Sequence, residues 1–168
     1  MQYSELIVNE FKRRVFTESF SRIYTCLSLI DETDLWKTPY QKIPSIGSLV
    51  LYVCGNGRQW ILSGLGKKKD NRDRESEFKI HNNIKKADLI FLLENLKVNI
   101  LLELEKINNE NLNHTLTIQG FNETTFSVLI HVIEHFSYHT GQISTLTKLL
   151  TQKDLGYYEN LDLNTKNS

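Results

Sequence analysis

Apolar residues recur every three to five positions along four long segments of the chain. The first segment runs from about Ser4 to Ile30, and the others cover roughly 45–63, 86–108 and 123–152. This spacing places apolar side chains along one stripe of a helix. The only two prolines both lie in TPYQKIPSIG, between the first two segments. The pattern predicts an all-α fold, a four-helix bundle with a long connection between helices one and two.

The connections have their own patterns. A short turn is expected at Glu32–Trp36 in the first connection. The second, KKKDNRDRESEF (residues 67–78), holds five basic and four acidic side chains. Such a mixed run favours a solvated connection over an anion clamp. The third contains NHTLTIQGF, which alternates briefly and predicts an extended strap or a small hairpin.

Several residues mark where the helices begin or bend. Ser45 can cap the start of helix two, and Asn122 or Thr124 can cap the start of helix four. Gly55 and Gly57 lie inside helix two, where each costs about 1 kcal/mol relative to alanine. Their presence predicts close packing against another element, or a bend.

Composition narrows the function classes. Twenty basic and twenty acidic residues balance at a pI near 7.0, so binding to nucleic acid is disfavoured. No apolar run is long enough to span a membrane. Cys26 and Cys54 form no CxxC pair and fit buried thiols in a reducing cytoplasm, so a cytoplasmic protein is expected. Residues 1–158 are expected to form a single domain and 159–168 a flexible C-terminal tail.

The stretch HVIEHFSYHTGQ, residues 131–142, contains three histidines spaced by four. Side chains four residues apart lie on one helix face, close enough to share a metal ion. At about 100° per residue, His139 lies inside the apolar arc of this helix, His135 at its edge and His131 on its rim. The pair that can hold a buried ion is therefore His135 with His139. A pair of hydrogen-bonded imidazoles without metal is the alternative.

Helix two carries a matching polar stripe. Tyr52, Asn56, Gln59 and Ser63 follow one another at intervals of four, three and four residues, beside an apolar arc. A neighbouring helix could bring Tyr52 and Asn56 against the histidine pair.

Three blocks together, SLVLYVCGNGRQWILSGLG, DNRDRESEF and HVIEHFSYHTGQISTLTKLL, resemble the DinB-like superfamily, which includes the YfiT-like proteins. The closer resemblance is to a branch described as a domain of unknown function. It implies a four-helix bundle, often dimeric, with a divalent ion held by three histidines. Two of these fall on His135 and His139, just before Gly141 and Gln142. The third position is occupied here by Tyr52, and a neutral phenol is a poor ligand for zinc or nickel, although ferric iron binds phenolate.

Two functions follow as hypotheses. The resemblance implies a metal-dependent hydrolase or thiol S-transferase that uses Zn, Ni or Fe and acts on a small molecule or a low-molecular-weight thiol. His135 and His139 would then be ligands and Tyr52 a third ligand or proton donor. The surrounding pocket would be formed by His131, Asn56, Gln59 and Gln142. The alternative is a metal-free, catalytically degenerate homodimer that acts as a binding or interaction protein.

Overall fold

The computed structural model describes residues 2–40 and 42–166, and four helices dominate this part of the chain. α1 comprises Tyr3–Phe11, a π-helical section Lys12–Phe20, and Ser21–Leu29. α2 comprises Ile46–Gly57 and a π-helical section Arg58–Leu65. α3 spans Lys86–Leu104 and α4 spans Thr125–Thr151. The strands β1, Thr115–Ile118, and β2, Phe121–Thr124, precede α4, and a 3-10 turn spans Ser76–Phe78.

The predicted all-α architecture and its four helices are confirmed. Each helix turns its apolar stripe toward one shared core, as the periodicity required. The completely or almost completely buried side chains come from all four helices and include Phe11, Phe20, Ile23, Leu49, Val53, Leu89, Leu93, Ile100, Val128, Val132, Phe136 and Ile143. α1 and α2 are joined by the long connection that was expected, with a turn over residues 32–36.

Two predicted helix caps are present. The Ser45 hydroxyl accepts a hydrogen bond from the Ser48 amide at 3.1 Å, at the start of α2. The Thr124 hydroxyl accepts one from the Ser127 amide, also at 3.1 Å, at the start of α4. Each satisfies one of the amides that the first helical turn leaves without a partner.

The third helix is shorter than predicted. It ends at Leu104, whereas the periodicity extended it to residue 108. The side-chain oxygen of Asn108 accepts hydrogen bonds from the amides of Glu110 and Asn111 at 2.9 and 3.0 Å. This turn gives the local backbone amides hydrogen-bond partners without a helix. Asparagine is favoured in such turns because its side chain can accept these bonds.

The alternating stretch before α4 forms the small hairpin that was one of its two predicted structures. β1 and β2 pair antiparallel, with Ile118 opposite Phe121. The two residues between them, Gln119 and Gly120, have φ angles of 52° and 84°. Positive φ at both positions gives a tight turn whose twist matches that of the strands.

The segment after α4 packs back on the bundle. The hydroxyl oxygen of Tyr157 lies 2.8 Å from Ser144 Oγ and 3.3 Å from Cys26 Sγ. The predicted flexible tail includes residues 167 and 168, which lie outside the described residues. Within 2–40 and 42–166, no helix combines the length and apolar character needed to cross a membrane.

Candidate functional site

The three histidines of α4 form a column on one side of the helix. The ring centroids of His131 and His135 are 5.7 Å apart, and those of His135 and His139 are 4.5 Å apart. The interval of four residues produces this arrangement, because it advances the helix by slightly more than one turn. All three side chains are half-buried. The rim position of His131 predicts that it is more exposed than His135 and His139. The three side chains instead fall in the same half-buried range.

Tyr52 of α2 lies against the histidine pair selected by helical geometry. Its ring centroid is 5.0 Å from that of His135 and 4.9 Å from that of His139. Phe78 covers another part of the same ring, at 4.8 Å. We call Tyr52, Phe78, His135 and His139 the Tyr52 cluster. Its tyrosine and two histidines are residues that the sequence placed at the site.

His131 belongs to a second contact, one turn away along the helix pair. Its ring stacks on Trp60 with centroids 3.6 Å apart and planes inclined by 20°. The side-chain amide of Asn56 lies 3.2 Å from His131 Nε2, and an amide nitrogen only donates, so Nε2 accepts. Two predicted pocket residues, His131 and Asn56, thus hold each other beside the Tyr52 cluster.

Residues 67–78 contribute an internal ion pair to the site. The Arg72 guanidinium donates to both carboxylate oxygens of Glu77, each at 2.9 Å, and the side chains are 5% and 10% exposed. Arg72 also donates to Gln59 Oε1 at 2.9 Å, and the Gln59 amide donates to Asp70 at 2.7 Å. The interpretation of this segment as merely solvated is wrong at Arg72 and Glu77. Gln59 anchors the segment through both its amide oxygen and its amide nitrogen.

Two arginines of this segment cover Tyr52. The guanidinium carbons of Arg72 and Arg74 lie 5.1 and 5.3 Å from the centre of the Tyr52 ring. Arg74 Nη2 also reaches the Tyr52 hydroxyl at 3.4 Å. Sequence reasoning did not assign these arginines to the site, because a mixed-charge run has no periodicity that shows where it folds. Their presence in the motif block DNRDRESEF was the available signal.

Comparison with known proteins places the chain in a family. The model of DUF1572, described as a protein of unknown function, matches residues 5–161. The chain belongs to the DUF1572 family. A search of curated proteins found no match.

Solved structures share the fold of this DUF1572 chain. A conserved protein from Enterococcus faecalis superposes with a TM-score of 0.73 at 16% identity, covering 91% of this chain and 99% of that one. A DinB-like protein from Bacillus cereus gives 0.64 at 15% identity, covering 80% and 87%. A mutant of the mycothiol-dependent maleylpyruvate isomerase gives 0.58 at 12% identity, covering 89% and 70%. The resemblance to DinB-like proteins inferred from the motif blocks is confirmed at the level of the fold.

The three imidazoles of α4 in this DUF1572 chain are held in the neutral form. Burial lowers the pKa of His135 to about 3, assisted by the neighbouring His139 and His131 and by the positive charges of Arg72 and Arg74. Burial also lowers the pKa of His131 and that of His139. A charged imidazole loses hydration when it is buried, so the neutral form is favoured.

Two imidazole nitrogens of the Tyr52 cluster make no hydrogen bond within the described residues. His135 Nε2 is buried and has no hydrogen-bond partner among the described residues. His139 Nδ1 lies 2.7 Å from Gln142 Oε1, which only accepts, so Nδ1 carries the proton and Nε2 is left with a lone pair. Gln142 thus orients His139 in the way that metal-bound histidines are usually oriented.

A complete divalent-metal site is not formed by these residues. Zinc takes three or four protein ligands, and the described part of the chain contains no group of three His, Cys, Asp or Glu side chains able to hold an ion. Tyr52, which stands at the third position, has two guanidinium groups over its ring. Cys54 is buried, and burial raises the pKa of its thiol. The histidine pair therefore supplies only two metal ligands, and the positive charge of the nearby guanidinium groups opposes a dication.

Proposed function

We propose that this DUF1572 chain binds a small organic molecule at the Tyr52 cluster, without a resident divalent metal. The observation that supports this function most is the environment of Tyr52. Its ring lies against His135 and His139, under the guanidinium groups of Arg72 and Arg74. Glu77 neutralises Arg72, so the uncompensated charge there is that of Arg74, which would repel a cation and attract a polar or anionic organic group.

The groups at the cluster suit molecular recognition. The Tyr52 hydroxyl accepts from Arg74, so its own proton remains available for donation to a ligand. His139 offers a lone pair at Nε2, because its other nitrogen is bonded to Gln142. A few oriented polar groups beside aromatic rings are typical of small-molecule sites.

A metal-dependent hydrolase or thiol S-transferase is the second candidate. It is favoured by the buried, unpartnered His135 Nε2 and by the Gln142 contact that exposes His139 Nε2. The two nitrogens supply only part of a zinc or nickel site, so this function requires ligands from outside the described side chains.

Calorimetric titration separates the two candidates. Zn²⁺ or Ni²⁺ is titrated at one pH into tag-free wild type, into Tyr52→His and into the control Tyr3→His. The control adds an imidazole at a surface position, because the Tyr3 side chain is 79% exposed. We expect weak binding to wild type, markedly tighter binding to Tyr52→His and no gain for the control, since only the first substitution adds a converging imidazole. A stoichiometric ion that survives dialysis of wild type would refute the metal-free function. Equal affinities for all three proteins would show that residue 52 is not at the missing ligand position.

A further inference from the structure

An apolar groove lies where the connection between α1 and α2 meets the second half of α4. Its volume is about 490 Å³, and its apolar lining includes Ile43, Leu49, Leu146 and Leu149. Leu149 is 64% exposed and Tyr138, at the groove edge, is 66% exposed. Volumes of roughly 300–1,000 Å³ with mostly apolar walls are usual for small-molecule sites.

The groove adjoins the Tyr52 cluster, because two of its lining residues contact His139. Gln142 lines the groove and bonds His139 at 2.7 Å. Tyr138, on the groove edge, contacts the His139 ring with centroids 4.9 Å apart. On α2, Leu49 lies one helical turn before Tyr52 and also lines the groove. One seam between the helices is therefore polar and aromatic at Tyr52 and apolar beyond it.

A positive charge stands at the polar end of this seam. Arg74 contacts the Tyr52 hydroxyl and lies over the rings of Tyr52 and Phe78. No carboxylate forms a salt bridge with Arg74 in residues 2–40 and 42–166, whereas the charge of the neighbouring Arg72 is neutralised by Glu77. An anionic head group would complement the charge of Arg74.

We propose that the cluster and the groove together bind one amphipathic monocarboxylate, with its carboxylate at Arg74 and the Tyr52 hydroxyl and its alkyl chain along the groove. This inference rests on the proposed function, because arginine and phenol, rather than a metal ion, hold the head group. From His139 to Leu149 the α4 axis advances about 15 Å at 1.5 Å per residue, which gives room for a chain of medium length.

Gly141 allows the groove to be blocked without disturbing the bundle. It lines the groove, and a Cβ added there would meet no atom within 4 Å. Gly141→Leu therefore places its side chain in open space, and leucine favours a helix more than glycine does. Arg74→Gln removes the charge at the other end. Arg58→Gln is the matched control, because Arg58 is an exposed arginine of α2 that lines a different cavity.

Calorimetric titration with sodium octanoate tests the proposal, with octanol and acetate as comparison ligands. We expect one octanoate per wild-type chain, weaker binding of octanol, and much weaker binding of acetate. Arg74→Gln should weaken octanoate binding about tenfold, since a charge-assisted contact is lost. Gly141→Leu should abolish octanoate binding while its thermal midpoint stays at or above that of wild type, and Arg58→Gln should match wild type.

Several results would overturn the proposal. Equal affinity of octanoate for wild type and Gly141→Leu would show that the chain is not in the groove. Equal affinity of octanol and octanoate would show that Arg74 recognises no carboxylate. A further contrary result is a wild type that binds no octanoate and sediments as a dimer, together with a Gly141→Leu variant that sediments as a monomer. In that case a second copy of the chain occupies the groove. EDTA is present throughout, so absent octanoate binding refutes this inference alone, whereas tight zinc binding in the separate titration refutes the proposed function and removes the basis of this inference with it.

Discussion

The carboxylate of Glu77 fills the space beside the α-carbon of Gly55. A Cβ added at Gly55 would overlap Glu77 Oε1 and would lie 2.7 Å from Cδ of the same carboxylate and 2.9 Å from Arg72 Nε. The missing side chain of a glycine inside α2 thus makes room for the ion pair that fixes residues 67–78 on the helix. The close packing predicted from the position of Gly55 is confirmed.

Gly55→Ala should destabilise the protein and release the 67–78 segment. The added methyl group must displace a buried carboxylate from its guanidinium partner, and we expect a loss of about 3 kcal/mol in the free energy of unfolding. Gly141→Ala is the control, because an added Cβ at this α4 position meets no atom within 4 Å. It should instead raise stability by about 0.5–1 kcal/mol, as alanine replaces glycine in a helix. Urea denaturation of both variants measures the difference, and equal effects would contradict the packing described.

Glu77→Gln should be strongly destabilising, since it leaves the Arg72 charge buried without its partner. We expect about 3 kcal/mol from the general cost of breaking a buried pair. The double variant Arg72→Met/Glu77→Leu should recover much of that loss, because neither charge then remains. Glu10→Gln, at an exposed carboxylate paired with Arg13, should have a far smaller effect. A double variant no more stable than Glu77→Gln would contradict this account.

The depressed pKa of His135 predicts a specific dependence of stability on pH. The folded protein keeps this imidazole neutral down to about pH 3, while the unfolded chain takes up a proton near the ordinary value of 6.5. Between these values the unfolded state binds more protons, so the contribution to stability is complete above about pH 6.5 and falls as the pH drops toward 3. His135→Gln should flatten the slope of unfolding free energy against pH over this interval.

The control for that measurement is Ser137→Ala, at an exposed position of the same helix. It should leave the slope unchanged, because the substitution removes no titratable group. Slopes are compared, rather than absolute stabilities, because His135→Gln also alters packing against Tyr52. An unchanged slope in His135→Gln would show that this imidazole is not held neutral by its surroundings.

Thr124→Ala should cost about 1 kcal/mol of stability, because the first turn of α4 loses the hydroxyl that caps the Ser127 amide. α4 carries His131, His135 and His139, so fraying of the helix should also broaden the NMR signals of these side chains. His131 should be affected most, because it is the nearest of the three to the cap. Ser137→Ala, an exposed position of the same helix, is the control and should change stability little. Equal losses in the two variants would argue against the cap.

The sequence alone determined the parts of the structure that depend on neighbours along the chain. The spacing of apolar residues located all four helices, and Ser45 and Thr124 marked two of their starts. The same periodicity placed His135 and His139 on the inner face of α4, because the direction of a side chain on a helix follows from its position. The resemblance to DinB-like proteins identified Tyr52 as an atypical member of the predicted site.

Only the tertiary structure decided what surrounds the pair. Arg72, Arg74 and Phe78 belong to an irregular segment, whose path depends on contacts far along the chain rather than on local spacing. The same applies to His131, whose rim position on α4 did not reveal that Asn56 and Trp60 of α2 would cover it. The charge and the ligands available at Tyr52 therefore depend on where one loop packs. The position of this loop is fixed by the fit of Glu77 against Gly55, and no periodicity in the sequence encodes that fit.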